Sequence, residues 1–187
     1  MRVVAGEFRG RKLKAVPGSG TRPTTDKVKE ALFNIIGPYF DGGMSLDLYA
    51  GSGGLSIEAV SRGIKRAVLI DHHYQAIKTI RDNVTVTKSE NQFEIYKQEA
   101  QKALNLLAKR QVQFTLVFLD PPYAQQKIVT DLETLRTLNL LADQALIVAE
   151  TDKNAKLPQQ IPGFEFVRQQ DYGITVLTIY RFLKGNE

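Results

Sequence analysis

The 187-residue chain has no cysteine and only two histidines, the adjacent His72 and His73. Disulfide scaffolds, cysteine-based zinc sites and thiol nucleophiles are excluded, and no metal is expected, since only carboxylates would remain to bind one. No stretch approaches the roughly 18 apolar residues of a membrane span. The opening Met-Arg-Val-Val-Ala-Gly-Glu-Phe-Arg-Gly lacks the apolar core of a signal peptide. A cytoplasmic protein with no membrane partner is therefore expected. Internal repeats, low-complexity tracts and long linkers are also missing. With 43% hydrophobic and 24% charged residues, residues 1–187 fit one globular domain, a length that buries roughly 70% of its unfolded surface.

Positive charge is what the chain has in excess, +5 overall, and it is uneven. Arg2, Arg9, Arg11, Lys12 and Lys14 are opposed within the same stretch by Glu7 alone. Such a cluster suits a polyanion such as nucleic acid, the bland alternative being a solvated basic surface. The runs Arg2 to Ala5 and Arg11 to Val16 flank a glycine-containing turn and read as two short strands, so residues 1–20 form a basic N-terminal hairpin extension. Arg9, Arg11, Lys12 and Lys14 are the candidate nucleic-acid contacts.

After the loop Pro17 to Pro23, residues Thr24 to Ile36 carry Val28, Ala31, Leu32, Ile35 and Ile36 on one helical face, with Lys27, Lys29 and Glu30 assigned to the outer one. Gly37-Pro38 stops that helix. From Met44 the pattern is strand, turn and helix in alternation. Apolar runs at Met44 to Tyr49, Ala67 to Ile70, Phe93 to Tyr96, Phe114 to Leu119 and Ala145 to Ala149 alternate with helical segments near Gly54 to Arg62, Tyr74 to Val84, Ala100 to Lys109 and Ile128 to Leu138. Short strands apolar on both faces indicate a parallel sheet covered on both sides. Phe164 to Gln170 and Thr175 to Leu183, joined through Asp171, read as a closing antiparallel hairpin. The expected fold is a doubly wound, Rossmann-like α/β domain with a mainly parallel seven-stranded sheet, an antiparallel C-terminal strand and the small N-terminal hairpin.

In such a sheet the ligand crevice lies at the C-terminal ends of the strands. The first such end reads Asp47-Leu-Tyr-Ala-Gly51-Ser-Gly53-Gly54. Glycines at 51 and 53 allow a sharp turn and close approach of a ligand to the backbone. A nicotinamide fingerprint would require a third Gly or Ala where Ser56 stands, and Asp47 would repel a pyrophosphate. Asp71, 20 residues beyond Gly51, ends the next strand where an acid can accept from ribose hydroxyls. Glu99 follows the third strand, where an acidic side chain can meet an adenine amino group. A nucleoside bearing a cationic sulfonium, S-adenosylmethionine, fits this set better than a dinucleotide. The plainer alternative is that Asp71 and Glu99 only start their helices. His72 and His73 are read as exposed helix-start residues.

The fourth strand runs into Asp120-Pro121-Pro122-Tyr123. Pro122 has no N–H and biases Pro121 to an extended backbone, so the Pro121 carbonyl is available beside the Asp120 carboxylate. Two acceptors at one place can hold both hydrogens of an exocyclic base amine, aim its lone pair and stabilise the positive charge that builds on nitrogen. Tyr123 offers a face for stacking an extruded base. The catalytic candidates are Asp120, Pro121, Pro122 and Tyr123. An ordinary strand-ending turn is the plain alternative.

Taken together, Asp47-Leu-Tyr-Ala-Gly-Ser-Gly-Gly-Leu and Asp120-Pro-Pro-Tyr resemble the class I S-adenosylmethionine-dependent amino-methyltransferases. The opening residues 1–13 and the segment Thr21-Arg-Pro-Thr-Thr-Asp-Lys-Val-Lys-Glu-Ala-Leu-Phe-Asn narrow the resemblance to the bacterial 16S rRNA (guanine(966)-N(2))-methyltransferase family, the RsmD type, over essentially the whole chain. The resemblance implies an enzyme that methylates the N2 amine of a guanine in 16S rRNA, within the small ribosomal subunit or its assembly intermediate, releasing S-adenosylhomocysteine. It places Asp47, Gly51 and Gly53 on the methionine side of the cofactor with Tyr49 and Asp120 among the contacts, Asp71 at the ribose, and Glu99 with Ala100 at the adenine. Arg22, Pro23 and Thr24 cap the cofactor edge. Glu99 stands where Asp is common in such families, and His73 where a second acid is often found, so His73 receives no role. Methylation of another base amine or of a glutamine amide, and a non-catalytic RNA-binding assembly factor, are the competing readings. A monomer is expected.

Overall fold

The structure, a computed structural model, describes residues 1–18, 24–122 and 126–185. The chain divides into two compact units, Met1–Ala100 and Gln101–Glu187.

The first unit opens with the basic segment. In place of two strands, one antiparallel bridge joins Arg2 to Lys12. Around it Val3 N–H donates to Arg11 O at 3.0 Å and Leu13 N–H to Met1 O at 2.9 Å. Gly6 and Gly10, at φ 88° and 86°, turn the chain between the two arms. The hairpin is thus much shorter in regular pairing than its sequence indicates, because residues 5–10 are turns. Helix α1 (Asp26–Ile36) starts where Thr25 Oγ1 accepts the Val28 N–H and ends at Gly37, whose N–H donates to Phe33 O. Lys29 corrects the expected helix face. It is 2% exposed and shares the buried stripe with Leu32, Phe33 and Ile36.

Strand β1 (Met44–Asp47) is followed by helix α2 (Gly54–Ser61), strand β2 (Arg66–Asp71), helix α3 (Tyr74–Thr87), a 3-10 turn (Glu90–Gln92) and strand β3 (Phe93–Lys97). The three strands are parallel, in the order β3-β2-β1. Their register sets Asp47 opposite Leu69 and Asp71 opposite Lys97, so the C-terminal ends lie close to one level.

In the second unit, α4 (Ala100–Ala108), β4 (Phe114–Leu119), α5 (Ile128–Thr137), β5 (Leu141–Asp152), β6 (Phe164–Asp171) and β7 (Thr175–Phe182) follow in turn. The strand order is β4-β5-β7-β6, with β4 and β5 parallel and β7 antiparallel to both its neighbours. Strand β5 runs well beyond the expected Ala145 to Ala149, since Glu150 to Asp152 pair with Leu177 to Thr175 of β7. Asp131 of α5 is fully buried and accepts from Gln101 Nε2 at 2.9 Å. Seven strands, mainly parallel with one reversed near the C-terminus and flanked by helices, make this a doubly wound Rossmann-like α/β fold.

Candidate active site

The C-terminal ends of β1, β2 and β3 bring Asp47, the turn Tyr49 to Gly53, Asp71 and the Glu99-Ala100 pair to one edge of the first unit. Beyond Asp47 the chain leaves the sheet; Ala50 N–H donates to Ile70 O at 2.8 Å and Gly53 N–H to Ala50 O at 2.8 Å. Gly51 and Gly53 adopt left-handed φ values of 57° and 81°. A side chain at Gly53 would place its Cβ 3.1 Å from Leu69 Cδ2, so the turn is packed hard against β2. At Gly51 the corresponding direction meets nothing within 4 Å among the described residues. One glycine therefore serves packing and the other leaves backbone open to an approaching group.

Asp71 joins the turn to β2. One carboxylate oxygen accepts the Gly51 N–H at 3.0 Å and the other accepts the His73 N–H at 2.9 Å. An ionised carboxylate offers about four acceptor sites, so half of this capacity remains for hydroxyl donors. Asp71 thus holds the bend that leads into α3 and also braces the glycine turn. Asp47 is 2% exposed, with Oδ1 accepting the Tyr49 N–H at 3.3 Å. Glu99 is exposed, its N–H donating to Gln98 Oε1 at 3.0 Å, while Gln98 N–H donates to Asp71 O at 3.0 Å. Ala100 opens α4. His72 and His73 are exposed, with rings 3.8 Å apart, as helix-start residues would be. Among the described residues no cluster of three acidic or histidine side chains suits a metal.

In the second unit Asp120 leaves the end of β4 half-buried, followed by buried Pro121 and exposed Pro122. Gln126 Oε1 accepts the Ile128 N–H at 3.1 Å and so helps to start α5. Tyr123 lies outside the described residues, as do Arg22 and Pro23; Thr24 is half-buried immediately before the α1 cap. A separate groove of about 300 Å³ lies along α3 and β3, lined by Arg81, Val84, Thr85, Glu90, Phe93 and Ile95. Its lining contains none of the candidate residues.

The family described as "Conserved hypothetical protein 95" matches residues 1–181. A Bacillus subtilis (strain 168) protein named "Putative rRNA methyltransferase YlbH" is 45% identical, over 97% of this chain and 98% of its own length. Ribosomal RNA small subunit methyltransferase D of Escherichia coli (strain K12) is 32% identical over 97% of this chain and 89% of its own. The chain belongs to the RsmD family. A solved Streptococcus pyogenes structure, described as a conserved hypothetical protein, is 48% identical with a TM-score of 0.80, covering 86% of this chain and 98% of its own.

For an RsmD-family chain the basic hairpin holds the features that its sequence conceals. Glu58 of α2 is fully buried and accepts the N–H groups of Val4 at 2.8 Å and Ala5 at 3.1 Å. Its carboxylate also takes Arg62 Nε at 2.7 Å and lies 3.4 Å from Lys29 Nζ. Lys29 in turn donates to Arg2 O at 2.6 Å. Burial pushes the Lys29 ammonium below its usual pKa, with Glu58 opposing the shift. Ser61 Oγ accepts the Phe8 N–H and donates to Ala5 O, and Gly6 packs so tightly on Ser61 that a Cβ there would lie 2.0 Å from the Ser61 carbonyl oxygen. The signal for these roles was a single acid inside the apolar run Leu55 to Val60.

The four candidate RNA contacts fall into two classes. Arg11 is half-buried, donates to the Val86 and Thr87 carbonyls at the end of α3 and lies over the Phe8 ring. Lys14 is bound through its backbone to Asn83, with its ammonium 3.6 Å from Asp82. Arg9 and Lys12 are exposed.

Proposed function

We propose that the chain transfers a methyl group from S-adenosylmethionine to the exocyclic N2 amine of a guanine in 16S rRNA of the small subunit or its assembly intermediate. The observation that carries the reading is the Asp71 carboxylate, fixed by the Gly51 and His73 N–H groups with acceptor capacity to spare beside an open glycine. That geometry suits a ribose against the backbone turn, and the RsmD relatives supply the substrate class.

The cofactor supplies an electrophilic methyl on a sulfonium. The residues do the rest. Asp47 and the turn residues Tyr49, Gly51 and Gly53 receive the cationic amino-acid end, Asp71 accepts from the ribose hydroxyls, and Glu99 with Ala100 receives the adenine edge. Arg22 and Thr24 close the cofactor edge. Asp120 and the Pro121 carbonyl accept the two N–H bonds of the guanine amine, which turns its lone pair toward the methyl carbon. Pro122 stiffens this segment and Tyr123 stacks on the extruded base. As the new N–C bond forms and the S–C bond breaks, charge rises on nitrogen beside Asp120; one amine proton then leaves to that carboxylate and on to water. Exposed Arg9 and Lys12, with Arg11 and Lys14, supply the positive surface for phosphates.

Methyl-labelled S-adenosylmethionine incubated with unmodified 16S rRNA or small-subunit particles, followed by nucleoside analysis, tests the proposal. Labelled N2-methylguanosine is the expected product. Label in another nucleoside or in protein would replace the substrate. RNA binding without transfer would turn the reading to an assembly factor.

A further inference from the structure

The first unit contains a polar link that neither the cofactor site nor RNA binding requires by itself. Asn83 of α3 is 1% exposed. Its Oδ1 accepts the Lys14 N–H at 2.8 Å, while Nδ2 donates to Lys14 O at 2.9 Å and to Ser52 O at 2.8 Å. Both amide donors are thereby used, one on the second arm of the hairpin and one on the middle residue of Gly51-Ser52-Gly53. The first arm reaches the same residue, since Ser52 Oγ lies 3.9 Å from Met1 Sδ. Ser52 is thus touched by both arms, directly and through one side chain.

We infer that Asn83 is a positioning residue that couples cofactor binding at the glycine turn to the RNA-facing hairpin, so that either ligand tightens the other. The inference rests on the function proposed above. The flanking glycines carry no side chain to restrain the Ser52 peptide, whose carbonyl is held by Asn83 Nδ2. A ligand on Gly51 and Gly53 fixes the orientation of the Ser52 carbonyl. That fixes the acceptor of Asn83 Nδ2 and, through the same rigid carboxamide, the backbone of Lys14. Ordering already provided for one ligand need not be provided again for the second. Linkage makes the effect equal in both directions.

The test compares the affinity of a labelled, unmethylated 16S rRNA transcript with and without saturating S-adenosylhomocysteine. For the wild-type protein a fivefold or greater tightening is expected, the lower end of common coupling. In Asn83→Ala the ratio falls to within about twofold of one. Ser61→Ala serves as the control, because Ser61 anchors Ala5 and Phe8 without touching Ser52; it weakens RNA binding equally in both conditions and keeps the wild-type ratio, which separates loss of coupling from a general loosening of the hairpin. A wild-type ratio of one, or a wild-type ratio retained in Asn83→Ala, overturns the inference. If Asn83→Ala does not fold, hydrogen exchange of the wild-type protein decides: S-adenosylhomocysteine should slow exchange of the Lys14 amide, and unchanged exchange overturns the coupling. Failure of the wild-type protein to bind either ligand removes the proposed function itself, an outcome distinct from binding both with a ratio of one.

Discussion

Two carboxylates, Asp71 and Glu58, each hold a loop of the first unit by its backbone N–H groups, and they differ in what is left over. Asp71, at the end of β2, takes one N–H on each oxygen and keeps acceptor sites at the edge of the sheet. Glu58, in the middle of α2, takes two N–H groups, a guanidinium and an ammonium at zero exposure. The same chemistry leaves acceptors for the proposed ligand in one place and makes a structural rivet in the other. Both are buried, at 9% and 0% exposure, and the number of donors decides between them: two for Asp71 and four for Glu58.

The comparison breaks most visibly at Glu58. Glu58→Ala leaves Lys29 and Arg62 buried without their shared partner and strands the Val4 and Ala5 N–H groups, and should cost about 3 to 5 kcal/mol in urea unfolding. A loss within 1 kcal/mol would mean that the cluster does not rivet the hairpin. Asp120→Ala tests chemistry without fold. Single-turnover methyl transfer at saturating 16S rRNA should fall 100-fold or more, about 2.7 kcal/mol, with cofactor affinity within about tenfold of wild type. Near-normal transfer would remove Asp120 from the amine.

Asp71→Ala should weaken S-adenosylhomocysteine by about 1 to 3 kcal/mol in calorimetric titration. Unchanged affinity would reduce Asp71 to a second rivet. The smallest effects sharpen the contrast within the hairpin itself. Arg11→Gln should cost about 1 kcal/mol of stability through its lost bonds at the end of α3. Arg9→Gln and Lys12→Gln should stay within about 0.5 kcal/mol, while each makes the slope of log RNA affinity against log salt shallower by about 0.7 to 0.9. Equal stability losses for all three would erase the distinction between anchored and phosphate-facing charge.

The glycine turn was legible because its parts are close in sequence and its acids fall at strand ends, which the alternation of apolar runs locates. Strand β4 and the start of α2 are where that alternation puts them. The hairpin was legible only in its charge. Lys29 looks like a solvated residue until Glu58 is brought beside it, and the bonds of Arg11 to the end of α3 are invisible until the fold supplies those carbonyls. Both pairings join residues 29 or more positions apart, beyond any periodicity. Strand β5 was underestimated for a related reason: its polar end, Glu150 to Asp152, is strand only because β7 pairs with it. Arg22, assigned by resemblance, and Tyr123, read from the Asp120-Pro-Pro-Tyr segment, lie outside the described residues.

The most direct test of the central claim is backbone amide mapping of the wild-type protein by nuclear magnetic resonance as S-adenosylhomocysteine is added. The predicted result is a set of shifts concentrated at residues 47–54, at Asp71 to His73 and at Gln98 to Ala100, saturating together. Shifts concentrated instead along Arg81, Val84, Phe93 and Ile95, or no saturable shifts at all, would contradict the assignment of the three-acid edge as the cofactor site.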